Sequence, residues 1–300
     1  MASTLVFDIE TIPDVEGIRQ LHGLPADLGA DEVAEFVFQQ RRASNGTDFL
    51  PHHLQRVVTI SCALRDMSQF RVFSLSEPEC TEGELIQRFF DGVEKFTPQI
   101  VSWNGGGFDL PVLHYRGMLH GVSAPRYWDL GDGDYTDSRD FKWNNYIGRY
   151  HTRHLDLMDL LALYQPRANA PLDDLAKLMG FPGKLGMDGS AVWQGYREGK
   201  IAEIRDYCET DVVNTFYVDI YREVQGLSCF PLDSQQAVAI TAFQFGSQRT
   251  LAFVDDDTII VAYISQNVIS RNRFAAFCYH IVLLDSFGSQ FQYFLAVYLW

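Results

Sequence analysis

The stretch Leu5-Val6-Phe7-Asp8-Ile9-Glu10-Thr11, near the start of the 300-residue chain, decides the predicted fold. Three apolar residues lead into two carboxylates that are one residue apart. Because successive side chains of a strand point to opposite faces, Asp8 and Glu10 are predicted to share one face. Two like charges side by side weaken a sheet unless a cation lies between them. The stretch is therefore either a strand that presents carboxylates to Mg²⁺ or Mn²⁺, or a strand that ends at the surface with two solvated acids.

Composition restricts the kind of partner that the chain can bind. The chain is 47% hydrophobic and 21% charged, which are globular values, and its net charge is −15. This charge argues against a protein that holds nucleic acid on a broad basic surface. It does not exclude an enzyme that meets a phosphodiester through bound metal, since the cation inverts the local field.

The cysteines and the apolar runs give an expected compartment. The five cysteines include no C-x-x-C pair, so zinc-ribbon spacing is absent. The acids at positions 8 and 10 interrupt the N-terminal apolar run, which predicts that there is no signal peptide. No apolar run reaches the roughly 18 residues needed to cross a bilayer. We therefore expect a cytoplasmic protein with no membrane partner.

The first half of the chain alternates between predicted strands and helices. Residues 15–55 are polar with weak helical periodicity, and two interpretations stay open: a lid over the acidic site, or a surface-packed helical insertion with no role in catalysis. Residues 57–64 are predicted to form a buried strand, with residues 70–73 as its hairpin partner. Thr81 and Glu84 form the capping-box pattern at the start of a helix.

The C-terminal part differs in composition from the rest. No Lys and no Glu occurs from residue 231 to 300, and aromatic residues crowd this segment. Runs at residues 258–264 and 280–284 resemble strands but lack clear turn chemistry. The predicted domains are accordingly residues 1–228 and an atypical C-terminal segment, residues 229–300, to which no fold and no chemistry are assigned.

Two further acidic elements follow the first one in chain order. A short apolar run leads into Asn104-Gly105-Gly106-Gly107-Phe108-Asp109, where glycines allow close approach of the backbone and a helix begins near Asp109. Asp109 is predicted either as a metal ligand or as a helix N-cap, and the two roles are compatible. On a long helix over residues 201–224, Tyr207 and Asp211 are four residues apart and share a face. Either feature alone is compatible with an ordinary solvated surface, but three acidic elements at element ends favour one site.

These three elements resemble the exonuclease motifs of the DEDD superfamily of 3′→5′ exonucleases. The Tyr-x-x-x-Asp form of the third element is typical of the tyrosine subclass. The longer runs Asn-Gly-x-x-Phe-Asp-Leu-Pro, from Asn104, and His-Leu-Asp-Leu-Met-Asp, from His154, are similar to predicted exonucleases related to the proofreading domain of family B DNA polymerases. The resemblance covers residues 1 to about 225. It implies an α/β, ribonuclease H-like fold, with a mixed five-stranded sheet flanked by helices.

The resemblance also implies a two-metal hydrolysis of phosphodiester bonds from the 3′ end, which releases nucleoside 5′-monophosphates. Two divalent ions, Mg²⁺ or Mn²⁺, would be held by Asp8, Glu10, Asp109 and Asp211, and Tyr207 would orient the attacking water. Together these five are the predicted catalytic residues. The predicted contacts to the terminal nucleotide are Ile9, Thr11, Asn104 and Phe108, with stacking by Phe108.

Alternatives to this function stay open. Single-stranded DNA is the expected partner, but an RNA 3′→5′ exonuclease similar to ribonuclease D, and a catalytically weak nucleic-acid-binding module, also fit the motifs. Asp156 is predicted either to support the site or to cap the following helix. His151 and His154 could meet phosphate, but satisfied surface or core histidines are the better interpretation.

Overall fold

The first strand, β1 (Thr4–Pro13), lies in the middle of a five-stranded sheet in the order β3-β2-β1-β4-β5. The structure is a computed structural model that describes residues 3–66, 70–132, 138–181, 183–184, 187, 189–227, 259–265, 276–284 and 290–298. The other strands of the sheet are β2 (Gln55–Arg65), β3 (Phe70–Ser76), β4 (Gln99–Ser102) and β5 (His154–Asp156). The pairs β1–β2 and β2–β3 are antiparallel, whereas β1–β4 and β4–β5 are parallel.

Helices flank this sheet, which confirms the predicted α/β fold class with a mixed five-stranded sheet. The helices that the structure describes along the chain are α1 (Val15–His22), α2 (Ala30–Asn45), α3 (Glu82–Phe96), α4 (Asp109–His120), α5 (Ser138–Phe141), α6 (Leu157–Leu161), α7 (Leu172–Leu178), α8 (Val192–Arg197) and α9 (Ile201–Leu227). Among them, none combines the length and the apolar character needed to cross a bilayer.

The chain divides into two compact units, of which residues 1–169 with 186–215 form the first. Its main core lies between the sheet and the helices α3 and α4, and Phe7 of β1 packs against Phe89 of α3 with 4.9 Å between ring centroids. The helix α3 begins with the predicted capping box, because Thr81 accepts from the Glu84 backbone and Glu84 accepts from Thr81. The strand and hairpin predicted at residues 57–64 and 70–73 are confirmed as parts of β2 and β3.

The segment between β1 and β2 is helical and has a small apolar core of its own. This core joins α1, α2 and the short 3-10 turn His52–Leu54. Its buried members are Ile18, Val33, Val37, Leu50 and Leu54. The segment is therefore a packed helical insertion, and this packing is compatible with both interpretations.

One buried arginine fixes both ends of this insertion. Arg116 of α4 donates to both carboxylate oxygens of Glu82, at 2.8 and 2.6 Å. The same guanidinium donates to Asp14, just after β1, at 2.5 Å and to the carbonyl of His53, just before β2, at 3.2 Å. Glu82 also accepts from the backbone N–H of Val57 at 2.8 Å. The network therefore ties the insertion to the two strands that it connects.

The second unit comprises residues 170–185 and 216–300. Within its described part, three antiparallel strands form a sheet in the order β6-β7-β8, with β6 at Ile259–Ser265, β7 at Ala276–Leu284 and β8 at Gln290–Tyr298. The strand-like runs of the sequence fall on β6 and β7. The predicted domain boundary at residues 228 and 229 lies outside the described residues and stays a prediction.

Candidate active site

Asp8 and Glu10 lie in the C-terminal half of β1, where β4 no longer pairs with it. The parallel pairing of β1 with β4 extends from Thr4 to Val6 only, whereas the pairing with β2 continues to Pro13. The register with β2 shifts between Glu10 and Thr11, as at a bulge, a feature that is common next to active sites. Asp8 is partly exposed and Glu10 is buried. Beyond Val6, the edge of β1 that faces β4 is therefore accessible to side chains from other elements.

Asp109 bonds to the edge of β1 beyond the residues that pair with β4. It is the first residue of α4 rather than its cap, and its carboxylate accepts from the backbone N–H of Ile9 at 3.2 Å. The residue is only 3% exposed. Burial is the main reason why the pKa of Asp109 rises from 3.8 to about 7, and the charges of Asp156 and Asp211 add to the rise. Asp109 is therefore held beside the two acids of β1.

The long helix α9 brings a third element to the same place. The thiol of Cys208 donates to the backbone carbonyl of Asp8 at 3.4 Å and to its carboxylate at 3.5 Å. On the next residue, Glu209 accepts from the hydroxyl of Ser74 in β3 at 2.7 Å. These contacts dock the helix on the sheet. The charge of Asp211, on the same helix, raises the pKa of Asp8.

Electrostatics identify Asp8 as the centre of the cluster. Its pKa lies well above the ordinary value of 3.8, first because of burial and then because of the charges of Asp109, Glu10 and Asp211. The hydrogen bond from Cys208 acts in the opposite direction. Four acids from three elements therefore repel one another around one partly exposed carboxylate, and a bound cation would relieve that repulsion.

Tyr207 approaches the same cluster from α9. Its ring is buried against Ile12, Val58 and Ile204. Burial, followed by the charges of Asp211, Glu10 and Asp8 and by a hydrogen bond to Asp211, raises the pKa of Tyr207 above its usual range. The hydroxyl therefore stays protonated near neutral pH and lies next to the carboxylates.

The donor atoms of the site suit a hard divalent cation. Ligand atoms of Asp8, Glu10 and Cys208 all lie within 4.8 Å of one another. Carboxylate oxygens are ligands that Mg²⁺ and Mn²⁺ accept. Burial and the nearby acids raise the pKa of Cys208, so the group remains a thiol, whereas the thiolate is the form that binds metals. The residues present thus fit an oxygen-ligated ion, with Cys208 as a hydrogen-bond donor to Asp8.

Sequence reasoning did not single out Cys208, although a signal was present. Cys208 and Asp211 are three residues apart on a helix, a spacing that puts their side chains on neighbouring positions of one face.

Asp156 performs both of the roles that the sequence left open. It caps α6 by accepting from the backbone of Met158 and Asp159. It also accepts from the backbone N–H of Asn104 and of Gly106, both at 2.9 Å. A Cβ at Gly106 would lie 3.2 Å from this carboxylate, so a side chain there would crowd the contact. Asp156 therefore shapes the loop that leads into Asp109.

The two histidines of this region are satisfied within the protein, which confirms the preferred interpretation. His154 is buried and shares a 2.8 Å hydrogen bond with the hydroxyl of Ser102, and burial lowers its pKa to about 4. His151 accepts from the backbone of Asn145 at 3.0 Å.

The four residues predicted to contact a nucleotide have different environments. The side chain of Ile9 packs in the main core and is 4% exposed, so its contribution to the site is the backbone N–H that Asp109 accepts. Thr11 donates to Gln55 at 2.9 Å. Asn104 has a left-handed backbone, with φ of 63°. Phe108 is half-buried against the core. Thr11, Asn104 and Phe108 remain accessible in part.

A family model described as a predicted 3′-5′ exonuclease related to the exonuclease domain of PolB matches residues 47–230. The matched residues include both later motifs and begin after Asp8 and Glu10. No match was found among curated proteins.

Similar solved structures include a family B DNA polymerase of the hyperthermophilic archaeon Pyrobaculum calidifontis, with 19% identity, a TM-score of 0.47, and coverage of 77% of this chain and 25% of the polymerase. A product-bound exonuclease I has 13% identity, a TM-score of 0.33, and coverage of 78% and 49%. A zinc-bound complex of E. coli exonuclease I with single-stranded DNA has 14% identity, a TM-score of 0.31, and coverage of 76% and 45%. The chain thus spans about a quarter to a half of these proteins.

Proposed function

The chain belongs to the family of predicted 3′-5′ exonucleases related to the exonuclease domain of PolB, and from this premise we propose that it hydrolyses single-stranded DNA from the 3′ end. The products would be nucleoside 5′-monophosphates. We assign this activity to residues 1–228, which contain all the residues proposed for the site.

The observation that carries the proposal is the convergence of acids on Asp8. Glu10 comes from the same strand, Asp109 from the start of α4 and Asp211 from α9, and each raises the pKa of Asp8. An arrangement of this kind destabilises the folded chain, so a compensating cation accounts for it better than a structural role does. Asp8 is also a partly exposed residue, which is compatible with access of a substrate to the cluster.

Asp8, Glu10, Asp109 and Asp211 would hold two divalent cations, Mg²⁺ or Mn²⁺, which when bound make water a stronger nucleophile and offset the charge on the leaving 3′ oxygen. Tyr207 keeps its proton because its pKa is raised, so it acts as a hydrogen-bond donor and not as a base. While its hydroxyl hydrogen is donated to Asp211, the lone pairs of the oxygen can accept from water and orient it for attack.

The experiment follows a 5′-labelled single-stranded DNA oligomer with the full chain and Mg²⁺ or Mn²⁺. We expect a ladder that shortens one nucleotide at a time from the 3′ end. Asp8→Asn and Asp211→Asn should each lower kcat/KM by about 10³-fold, since ion-mediated charge stabilisation contributes several kcal/mol.

Asp31→Asn is the matched control for these variants. It also removes one carboxylate, but Asp31 is exposed and pairs with Arg197 on the surface. If all three variants cut at the same rate, the proposal fails. An RNA oligomer of the same sequence in the same assay tests the ribonuclease D-like alternative, which faster cleavage of RNA would favour.

A further inference from the structure

Three aromatic rings from two separate segments meet beside the loop that leads into the acidic site. The ring of Phe108 lies 5.4 Å from that of Phe49 and 5.8 Å from that of His52, measured between centroids. Phe49 and His52 are themselves 6.3 Å apart. Phe49 and His52 belong to the end of the helical insertion, whereas Phe108 immediately precedes Asp109.

The three rings differ in how much surface they offer. Phe108 is half-buried and packs against the main core. Phe49 is 51% exposed. A base that approached this cluster would therefore find its largest open ring on Phe49, with the other two rings beside it.

Phe49 is held in position by its own backbone and by its neighbours. Its carbonyl accepts from Arg41 of α2 at 2.9 Å, and its N–H donates to the hydroxyl of Thr47 at 3.2 Å. The Nε2–H of His52 donates to the carbonyl of Gly107 at 3.0 Å, which joins the insertion to the loop before Asp109. An exposed ring on a fixed backbone loses little conformational entropy when it binds.

The negative charge of the chain makes contacts to the bases of a nucleic acid more important. With a net charge of −15, the protein attracts a phosphate backbone weakly. Aromatic stacking on bases is insensitive to this charge and to base sequence. A single strand that enters the acidic site thus needs contacts to its bases more than it would on a basic protein.

We propose that Phe49 stacks on a base of the 3′-terminal dinucleotide of a single strand, with Phe108 and His52 supporting its ring. This inference rests on the proposed function, because the dinucleotide is the part of the strand that reaches Asp8. It gives the helical insertion a role in substrate binding and moves the main stacking contact from Phe108 to Phe49.

The test compares Phe49→Ala and Phe49→Leu with Phe96→Ala in the oligomer assay. Phe96 is the matched control, since it is the same residue at 50% exposure at the end of α3. Loss of one stacking contact should raise KM by about 5- to 100-fold in both Phe49 variants, with a smaller change in kcat. Phe49→Trp should restore KM, and Phe96→Ala should match the wild type. Phe49→Leu guards against misfolding, because it keeps an apolar side chain of similar size.

A second measurement tests whether the contact of Phe49 is made to a base. An oligomer with abasic sugars at its last two positions should raise the KM of the wild type, and should raise that of Phe49→Ala much less, since coupled groups are not additive. If the Phe49 variants and Phe96→Ala share the KM of the wild type, the inference is wrong while the proposed function stands.

If no cleavage is found, a binding assay distinguishes failure of the proposed function from failure of the inference about Phe49. The anisotropy of a fluorescent single-stranded DNA oligomer is then measured with the wild type and with the two alanine variants. Weaker binding by Phe49→Ala alone would keep the inference after the proposed function had failed. Equal binding by all three proteins, or no binding by any, would overturn it.

Discussion

Two clusters of largely buried acids in the first unit differ in the charges that surround them. The network of Glu82 and Asp14 contains its own cation, Arg116, which bonds to both carboxylates. In the cluster around Asp8, the charges that act on the central carboxylate are those of three further acids. The first cluster contains a cation of its own, whereas the three charges that raise the pKa of Asp8 in the second are all negative.

This difference distinguishes charges that stabilise the fold, as in the Arg116 network, from charges that are available to bind a ligand, as around Asp8. Breaking an internal ion pair leaves a buried charge uncompensated, whereas removing one of several like charges relieves repulsion. The two clusters should therefore respond to substitution with opposite signs, although both combine buried and partly exposed carboxylates.

The largest expected effect comes from the arginine of the first cluster. Arg116→Met leaves Glu82 and Asp14 without their shared guanidinium, and should lower the free energy of unfolding by about 3–5 kcal/mol. Urea unfolding of the metal-free chain measures this. Asp8→Asn in the same assay should be as stable as the wild type or more stable, because it removes one of the mutually repelling charges. Equal losses in both variants would break the comparison.

Divalent cations should sharpen the contrast. If Mg²⁺ or Mn²⁺ binds the folded Asp8 cluster, a concentration of 100 times the Kd should raise the free energy of unfolding by about 2.7 kcal/mol. Asp8→Asn should lose most of this gain, whereas Arg116→Met should keep it from its lower starting value. Thermal unfolding with and without the ion checks this, and a gain that survives Asp8→Asn would assign the ion to another site.

The smallest effect concerns pH. The pKa of Asp109 rises from 3.8 to about 7 in the folded chain, so between these values the folded state binds more protons than the unfolded state. The free energy of unfolding of the metal-free chain should therefore fall as pH rises from about 4 to 7, by at least the ~1.4 kcal/mol of one pKa unit. Asp109→Asn should flatten this slope, which urea midpoints at several pH values would reveal. If the free energy of unfolding of the wild type rises with pH and that of Asp109→Asn does not, the raised pKa of Asp109 is contradicted.

The central part of the fold was predictable because its signals are local. The apolar start of β1, the β-branched run of β2 and the capping box of Thr81 and Glu84 depend on neighbours in sequence, and the structure confirms these two strands and the capping box. The nearness of the acids was an inference from their order along the chain, and the structure brings Asp109 and Asp211 to Asp8.

Other features depend on contacts that no local pattern contains. The hydrogen bond from Cys208 to Asp8 joins residues 200 positions apart. The double role of Asp156 needs the loop of Asn104 beside it. Likewise, nothing in the polar sequence of the insertion indicates that the ring of Phe49 meets that of Phe108.

The clamp of Arg116 on Asp14 and on the carbonyl of His53 has a consequence for how this molecule can be altered. Because both ends of the insertion are fastened to a single guanidinium, the distance that the intervening chain must close is already fixed. Closure entropy grows only slowly with loop length, by about 0.6 kcal/mol per doubling. A change in the length of the chain between the two anchors should therefore cost little closure entropy, so we expect the insertion to be the place where the preference for a substrate strand can be altered.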